Sequence, residues 1–271
     1  MGLPCYRLSG GTVAARRSRR VREDRLRSEH AYFSLIGDRE ENQDRARVLV
    51  ADGVSCIIVI DGMGGHVGGA LAAAAAVDSF SDSFLQERQP LVDPLGFLHL
   101  AIGRAHAAVV DIGRALPVAE RPRATCAICL VQLGAAYWAH VGDTRVYHLR
   151  DGQVLGRTRD HSHVEDLVRN GRITSAQARQ HRLRNFVEFS LGGTPELTEM
   201  TIGRRRPLQA GDIVLACTDG VWGGFDDDAI GSPFKPDVPV GDALKWLCHS
   251  AVTAAAPYSD NATAAAMQWL D

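Results

Sequence analysis

Lysine is nearly missing from this chain: Lys235 and Lys245 are the only two in 271 residues. The arginine and alanine bias that remains reads as genome composition rather than selection for guanidinium chemistry. Charge of one sign is also lacking, since the formal net charge is −2, which argues against bulk nucleic-acid binding. No run approaches the ~18 consecutive apolar residues that mark a bilayer span, so no membrane span is expected. The Arg16-Arg17 pair is not followed by an apolar segment, so no secretion signal is read. A soluble, cytoplasmic monomer is the expectation. Six cysteines occur, but the one CxxC, Cys126 to Cys129, has no second pair. Residues three apart on a strand point to opposite faces. Reduced core thiols are therefore expected rather than zinc.

What is present is enough apolar residue, 45%, to bury one large core. Residues 1–29 show no hydrophobic periodicity and hold a basic run with seven arginines between 16 and 27, so they read as a solvated tail. Residues 30–271 read as one domain. Strands are expected at His30–Gly37, Ala46–Ala51 and Val54–Ile60, the last two joined by Asp52-Gly53, a two-residue hairpin signal. An alanine-rich helix follows over 68–87. A second begins after Asp93-Pro94, an N-cap residue with proline at the first helical position. Its stripe runs Leu95, Leu98, Ile102, Ala105, Val109, Ile112, Leu116. A β-meander spans Thr125–Arg157, with another tight turn at Asp151-Gly152. Polar helical residues fill 162–181, and strands are expected near Leu197–Ile202 and Asp212–Cys217. Pro257 stops a helix over Gly241–Ala256, and a last strand runs Ala262–Trp269.

Hairpin spacing dominates, which excludes a Rossmann-like βαβ plan. The expected fold is α+β: a central sandwich of two antiparallel β-sheets flanked by pairs of antiparallel helices.

The chemistry lies in the aspartates. Asp61 closes the apolar run CIIVID and Asp219 closes DIVLACTD, each followed at once by glycine. Asp44 and Asp260 sit at the edges of strand-like segments. A carboxylate at the end of a buried strand is costly to desolvate unless a positive partner meets it. Oxygen donors without clustered histidine or cysteine suit Mg²⁺ or Mn²⁺. A pair of such ions about 3.5–4 Å apart activates water and clamps a phosphoryl group. Asp52 and Asp151 read as ordinary turns, and Asp226, Asp227 and Asp228 as a solvated helix start.

In order, R39-E-E-N-Q-D44, D61-G-M-G-G-H66, V141-G-D-T-R145, T218-D-G220 and S259-D-N-A-T263 resemble the motifs of the PPM (type 2C) metal-dependent protein phosphatases, bacterial branch. The resemblance covers roughly residues 30–271. It implies that Asp61, Asp219, Asp260 and the Gly62 carbonyl hold two Mn²⁺ or Mg²⁺ ions. Asp44 matches a position holding metal or metal-bound water, and Asp143 that of a third, weaker ion. Arg39 matches the phosphate-binding arginine, whose fork suits phosphate oxygens. The implied reaction is attack of a metal-bridged hydroxide on phosphoserine or phosphothreonine, opposing a bacterial Ser/Thr kinase. The leaving alkoxide takes its proton from His66 or from a metal-bound water. The DHS segment with Asp160, His161 and His163 and the flap over about 162–195 are assigned anchoring roles.

The chain departs from its bacterial relatives at Gly69, Ala73, Phe189 and Thr144, none of them an implied ligand. Two other readings stand beside the phosphatase: a pseudophosphatase that only binds phosphoproteins, and a hydrolase of small phosphoesters.

Overall fold

The computed structural model describes residues 28–63, 66–197 and 199–270, with the side chains of His66 and Val67 also outside it. The basic run up to Arg27 lies outside the described residues. The chain enters through β1 (Ser28–Leu35), β2 (Arg45–Ala51) and β3 (Val54–Met63), then α1 (His66–Gln86) and α2 (Pro94–Ile112). The meander is β4 (Arg123–Gln132), β5 (Ala135–Val141), β6 (Arg145–Arg150) and β7 (Gln153–Arg157). Short elements come next: α3 (His163–Arg169), α4 (Ser175–Arg179), β8 (Leu191–Gly192), β9 (Thr201–Ile202) and β10 (Arg206–Pro207). The chain closes with β11 (Ile213–Cys217), α5 (Asp219–Trp222), α6 (Asp227–Gly231), α7 (Val240–Ala255) and β12 (Ala262–Trp269).

Two antiparallel sheets form. One has the order β1-β12-β11-β6-β7, the other β10-β5-β4-β3-β2, with β8 added on β4 and β9 on β5. The register follows from apolar patterning and tight turns. Asp52 and Gly53, at φ 42° and 79°, make the β2–β3 turn, and Asp151 and Gly152, at 51° and 77°, make the β6–β7 turn. Positive φ at both central residues matches the right-handed strand twist.

β3 is apolar on both faces because both are covered. Cys56, Ile58 and Ile60 pack under α1 and α2, while Ile57 and Val59 meet the other sheet. The same alternation separates Cys126, under the helices, from Cys129, between the sheets. This is the two-face geometry that the sequence predicted. On the outer face of the first sheet, α7 buries Leu244, Leu247 and Cys248 against Leu215, Ala264 and Ala266. Thus α1 and α2 pair on one face, while on the other α7 is the single long helix, with α5 and α6 beside it.

Asp93 caps α2 by accepting from the Gly96 amide at 3.0 Å. Its stripe buries Leu98, Ile102, Ala105 and Val109. Ile112 and Leu116, expected to continue it, are exposed because the helix ends at Ile112. By length and mean hydropathy (1.3) α2 is the one described helix apolar enough to cross a bilayer, although His99, Arg104, His106 and Asp111 interrupt its apolar residues. Here its apolar stripe is spent on the core beneath it.

The topology gathers the acids. In antiparallel sheets the end of one strand lies beside the start of its neighbour. The starts of β2, β6 and β12 and the ends of β3, β5 and β11 therefore share one edge of the sandwich. Asp44, Asp61, Asp143, Asp219 and Asp260 all stand at that edge.

Candidate metal centre

Five carboxylates from separate stretches converge there. Asp44 precedes β2, Asp61 lies two residues before the end of β3, and Asp143 sits in the β5–β6 turn. Asp219 opens α5 and Asp260 precedes β12. Asp61, Asp143, Asp219 and Asp260 line a cleft of about 530 Å³ together with Arg39 and the Gly62 backbone. Asp44 is buried behind them, where its Oδ2 accepts from the Thr218 hydroxyl at 2.9 Å.

Their electrostatics set this cleft apart. Burial pushes the Asp44 carboxyl up to about 8, aided by the charges of Asp219 and Asp260 and opposed by Thr263 and Thr218. Burial, then the charges of Asp44, Asp219, Asp143 and Asp260, holds Asp61 well above the usual carboxylate range. Asp143 is raised by burial and by Asp219. Asp219 reaches about 6 through burial and the Asp260 charge. Asp44, Asp61, Asp143 and Asp219 are each raised partly by another carboxylate, so these four lack the positive charge that would let them ionise together. Among the described residues no three His, Cys, Asp or Glu side chains close into a ready-made metal cage. The donors fit a hard divalent cation: carboxylate oxygens and a backbone carbonyl, with no thiolate or imidazole among the described residues of the cleft wall.

The loops carrying these acids are tied to one another. Asn261 is the knot: its Oδ1 accepts from the Gln43 amide at 2.8 Å, and its Nδ2 donates to the carbonyls of Ile36 and Glu41 at 2.8 and 3.0 Å. Asp38 accepts from the Ser259 amide and hydroxyl at 2.9 and 2.6 Å. Those bonds hold its carboxyl below the usual range. Neither Asn261 nor Asp38 was singled out from sequence. Asn261 stands inside the S259-D-N-A-T263 motif, the one signal that pointed to it.

Arg39 is exposed, and its Nη2 donates to Asp260 Oδ2 at 2.6 Å. His66 begins α1, and its side chain lies outside the described residues.

Behind Asp143 stands a second layer. The Trp222 indole N–H donates to the Asp143 carbonyl at 3.0 Å. The Arg145 guanidinium lies 3.4 Å from the Trp222 ring centre and forks onto Asp160 at 2.8 and 2.7 Å. Asp160 thus serves as an anchor. His161 accepts from the Gly142 amide on Nδ1 at 3.2 Å and pairs with the Thr201 hydroxyl through Nε2 at 2.8 Å. His163 is 3.8 Å from Glu188. Asp226 caps α6 by accepting from the Ala229 amide at 2.9 Å, the helix-start role expected for that acidic run.

Two of the four sequence departures, Gly69 and Phe189, acquire reasons here. A Cβ on Gly62 would collide with the Gly69 and Gln43 carbonyls. One on Gly69 would fall 2.5 Å from Gln43 Oε1 and 2.7 Å from the Gly62 carbonyl oxygen. The loop and the helix start approach backbone to backbone, and a side chain at 69 would cover the Gly62 carbonyl. Thr144 shares a 2.5 Å hydroxyl contact with Thr125. Phe189 packs on the helix-side core and stands edge-on to His161, 5.8 Å between centroids. Nothing in the structure explains Ala73 beyond its complete burial.

Comparison with known proteins agrees with this geometry. Residues 34–240 match the family model described as protein phosphatase 2C. The chain is 30% identical over 192 residues to the serine/threonine protein phosphatase PstP of Mycobacterium tuberculosis, an alignment covering 71% of this chain and 36% of PstP. It is 28% identical over 226 residues to protein phosphatase PhpP of Streptococcus pneumoniae, covering 79% of this chain and 89% of PhpP. The crystal structure of M. tuberculosis PstP superposes with a TM-score of 0.78 at 27% identity, over 90% of this chain and 99% of that one. Another, of the PstP catalytic domain, is in complex with two manganese ions and superposes at 0.75 with 27% identity, over the same shares. The chain thus spans about a third of the length of full PstP. Five acids on one sandwich edge and a family match over most of the chain lead to one conclusion: the chain belongs to the protein phosphatase 2C family.

Proposed function

We propose that this protein is a metal-dependent protein serine/threonine phosphatase acting on cytoplasmic phosphoproteins as a monomer and opposing a Ser/Thr kinase. The observation that carries the reading is the group of mutually raised carboxylates in one cleft, which needs positive charge from outside the chain. Asp61, Asp219, Asp260 and the Gly62 carbonyl would hold two divalent ions, Mn²⁺ or Mg²⁺, with Asp44 as a further ligand or water holder and Asp143 at a third, weaker site. When bound, such ions lower the pKa of water and neutralise phosphoryl oxygens.

The chain's own residues do the rest. Thr218 fixes the Asp44 carboxylate by donating to its Oδ2, so that acid is oriented rather than free to swing. Arg39 leaves Asp260 and places its fork on two phosphate oxygens, orienting the phosphoryl group. The proton for the leaving alkoxide is assigned to His66, with water as the competing donor. The two donors separate experimentally, because p-nitrophenolate leaves without a proton whereas a threonine alkoxide does not. His66→Ala should slow a phosphothreonine peptide far more than p-nitrophenyl phosphate, and equal slowing of both would remove His66 from this role.

The deciding assay is hydrolysis of p-nitrophenyl phosphate and of a phosphothreonine peptide, with Mn²⁺ and with EDTA. Mn²⁺-dependent turnover of both is expected. Turnover of neither would overturn the catalytic reading and leave a phosphoprotein-binding domain. Turnover of the small ester alone would assign a small-phosphoester hydrolase.

A further inference from the structure

A second cavity, of about 210 Å³, opens beside the metal cleft and shares Asn185 and Asp219 with it. It lies between the α3–α4 flap and the α5–α6 segment. Its floor is the Arg145–Trp222 stack. An apolar patch in its lining comes from Val164, Val168 and Ala178 on the flap and Phe225 opposite, set among polar residues such as Ser162, Ser175 and Asn185. Several lining charges have partners: Arg145 forks onto Asp160, Arg157 reaches Asp227 and Glu165 at 3.3 and 3.4 Å, and Asp226 accepts from the Ala229 amide as the cap of α6. The rim differs. Arg179 and Arg184 line the cavity, are exposed, and have no ion-pair partner among the described residues.

We infer that this cavity is a substrate subsite that selects phosphoproteins carrying an apolar side chain and an adjacent carboxylate next to the phosphorylated residue. The inference rests on the phosphatase reading. The occupant is identified by three features. The shared Asn185–Asp219 wall makes the cavity continuous with the cleft, so a chain whose phosphate sits at Arg39 extends over it. The apolar patch of Val164, Val168, Ala178 and Phe225 beside the Trp222 ring accepts one side chain of modest size and desolvates it. The two unpaired guanidiniums at the mouth complement a carboxylate, and their exposure makes them a source of selectivity more than of raw affinity.

The test uses phosphothreonine peptides with leucine and glutamate beside the phosphothreonine, on either its N- or C-terminal side, and matched peptides with glutamine for glutamate. The Arg179→Glu/Arg184→Glu double variant changes two exposed side chains outside the metal cleft. For the glutamate peptide on one side, it should lower kcat/KM roughly tenfold through charge reversal at the rim. For the glutamine peptides and p-nitrophenyl phosphate the change should stay within about twofold. Ala178→Trp, which fills the cavity, should slow leucine-flanked peptides relative to alanine-flanked ones and spare p-nitrophenyl phosphate. Peptides bearing a non-hydrolysable phosphonate, followed by fluorescence anisotropy, report the same preferences whether or not turnover occurs. Equal losses for glutamate and glutamine peptides, or no loss for either, would overturn the subsite. Should the wild type turn over no substrate with Mn²⁺, the phosphatase reading falls, and the anisotropy preference alone decides the subsite.

Discussion

The two ends of β11 carry the same residue in opposite electrostatic conditions. Asp212 precedes the strand and is wholly buried, as costly a place for a carboxylate as any in the cleft. Burial pushes its carboxyl up, but Arg150, the Gln209 amide and His148 together bring it below the usual range. The Arg150 fork is at 2.6 and 2.8 Å, Gln209 N at 2.8 Å and His148 Nε2 at 2.9 Å. Just past the other end of the strand, Asp219 meets more carboxylates and is raised to about 6. A buried acid answered within the chain holds the fold together. An acid raised by burial and a neighbouring carboxylate, which Arg39, Arg145 and the Gly220 amide only partly offset, marks the place where a cation from solution belongs.

Substitution at the two ends should give opposite profiles. Asp219→Asn should lower Mn²⁺-dependent phosphatase activity by more than about a hundredfold, since even outer-shell partners of metal ligands are worth 10–100-fold. Its thermal stability in EDTA should be equal to or above the wild type's, because one of several repelling charges is gone. A melting scan of the metal-free variant checks this; a marked drop in Tm would place Asp219 with the structural acids. Asp212→Asn should do the reverse. It removes the counter-charge of the part-exposed Arg150 and one charged acceptor for His148 and the Gln209 amide, and the loss of stability is read as a lower urea midpoint. Activity per folded molecule should stay within about twofold of wild type. A large loss of activity at an unchanged midpoint would erase the contrast.

This contrast was only half legible in the sequence. Asp61 and Asp219 stood out because each interrupts an apolar run just before a glycine, and such runs are readable by period. The bounds of β12 were readable from the apolar run that follows Pro257, and the start of α2 from the Asp93-Pro94 cap. Elements without a period were not. The two-residue strands β8 and β10 offer no alternation to detect, the strand expected near Leu197–Ile202 is found as β9 at Thr201–Ile202, and α5 is too short for a helical repeat, so Asp219 read as a strand end when it opens a helix. Partnerships across long stretches of chain were also hidden. Asp212 and Arg150 are 62 residues apart, and Trp222 and Asp143 are 79 apart. Nothing local encodes which arginine will neutralise which acid, so the neutralised end of β11 could not be told from the charged one.

The pH dependence of stability sharpens the same comparison. Asp212, with a lowered folded pKa, contributes stability fully present above the unfolded carboxylate value of about 3.9 and lost as pH falls through its folded pKa. The cleft acids act in the opposite sense. With Asp44 raised to about 8 and Asp219 to about 6, the folded metal-free protein binds more protons than the unfolded chain between those limits and about 4, so its stability falls as pH rises. Metal-free protein should therefore melt lower at pH 8 than at pH 5. Added Mn²⁺ should raise Tm more at pH 8, where no proton competes for the oxygens. A Tm shift on Mn²⁺ addition that is independent of pH would mean the cleft acids are already ionised in the metal-free protein.

The smallest expected effect concerns Asp143, which combines both conditions. Its carboxyl is raised by burial and by Asp219, yet its backbone is answered from within the chain by the Trp222 indole. Trp222→Phe keeps an aromatic face for Arg145 but removes the N–H. The buried Asp143 carbonyl then loses its donor, a change of about 1 kcal/mol. The Arg145–Asp160 fork should persist, so the fold should survive with a Tm lowered by a few degrees. If Asp143 is a cation-binding acid whose carboxylate position depends on that backbone anchor, Trp222→Phe should also raise the Mn²⁺ concentration needed for half-maximal activity several-fold. At saturating Mn²⁺ kcat should stay close to wild type. A fall in kcat that Mn²⁺ does not restore would separate Trp222 from ion binding and assign it to the flap side of the cleft instead.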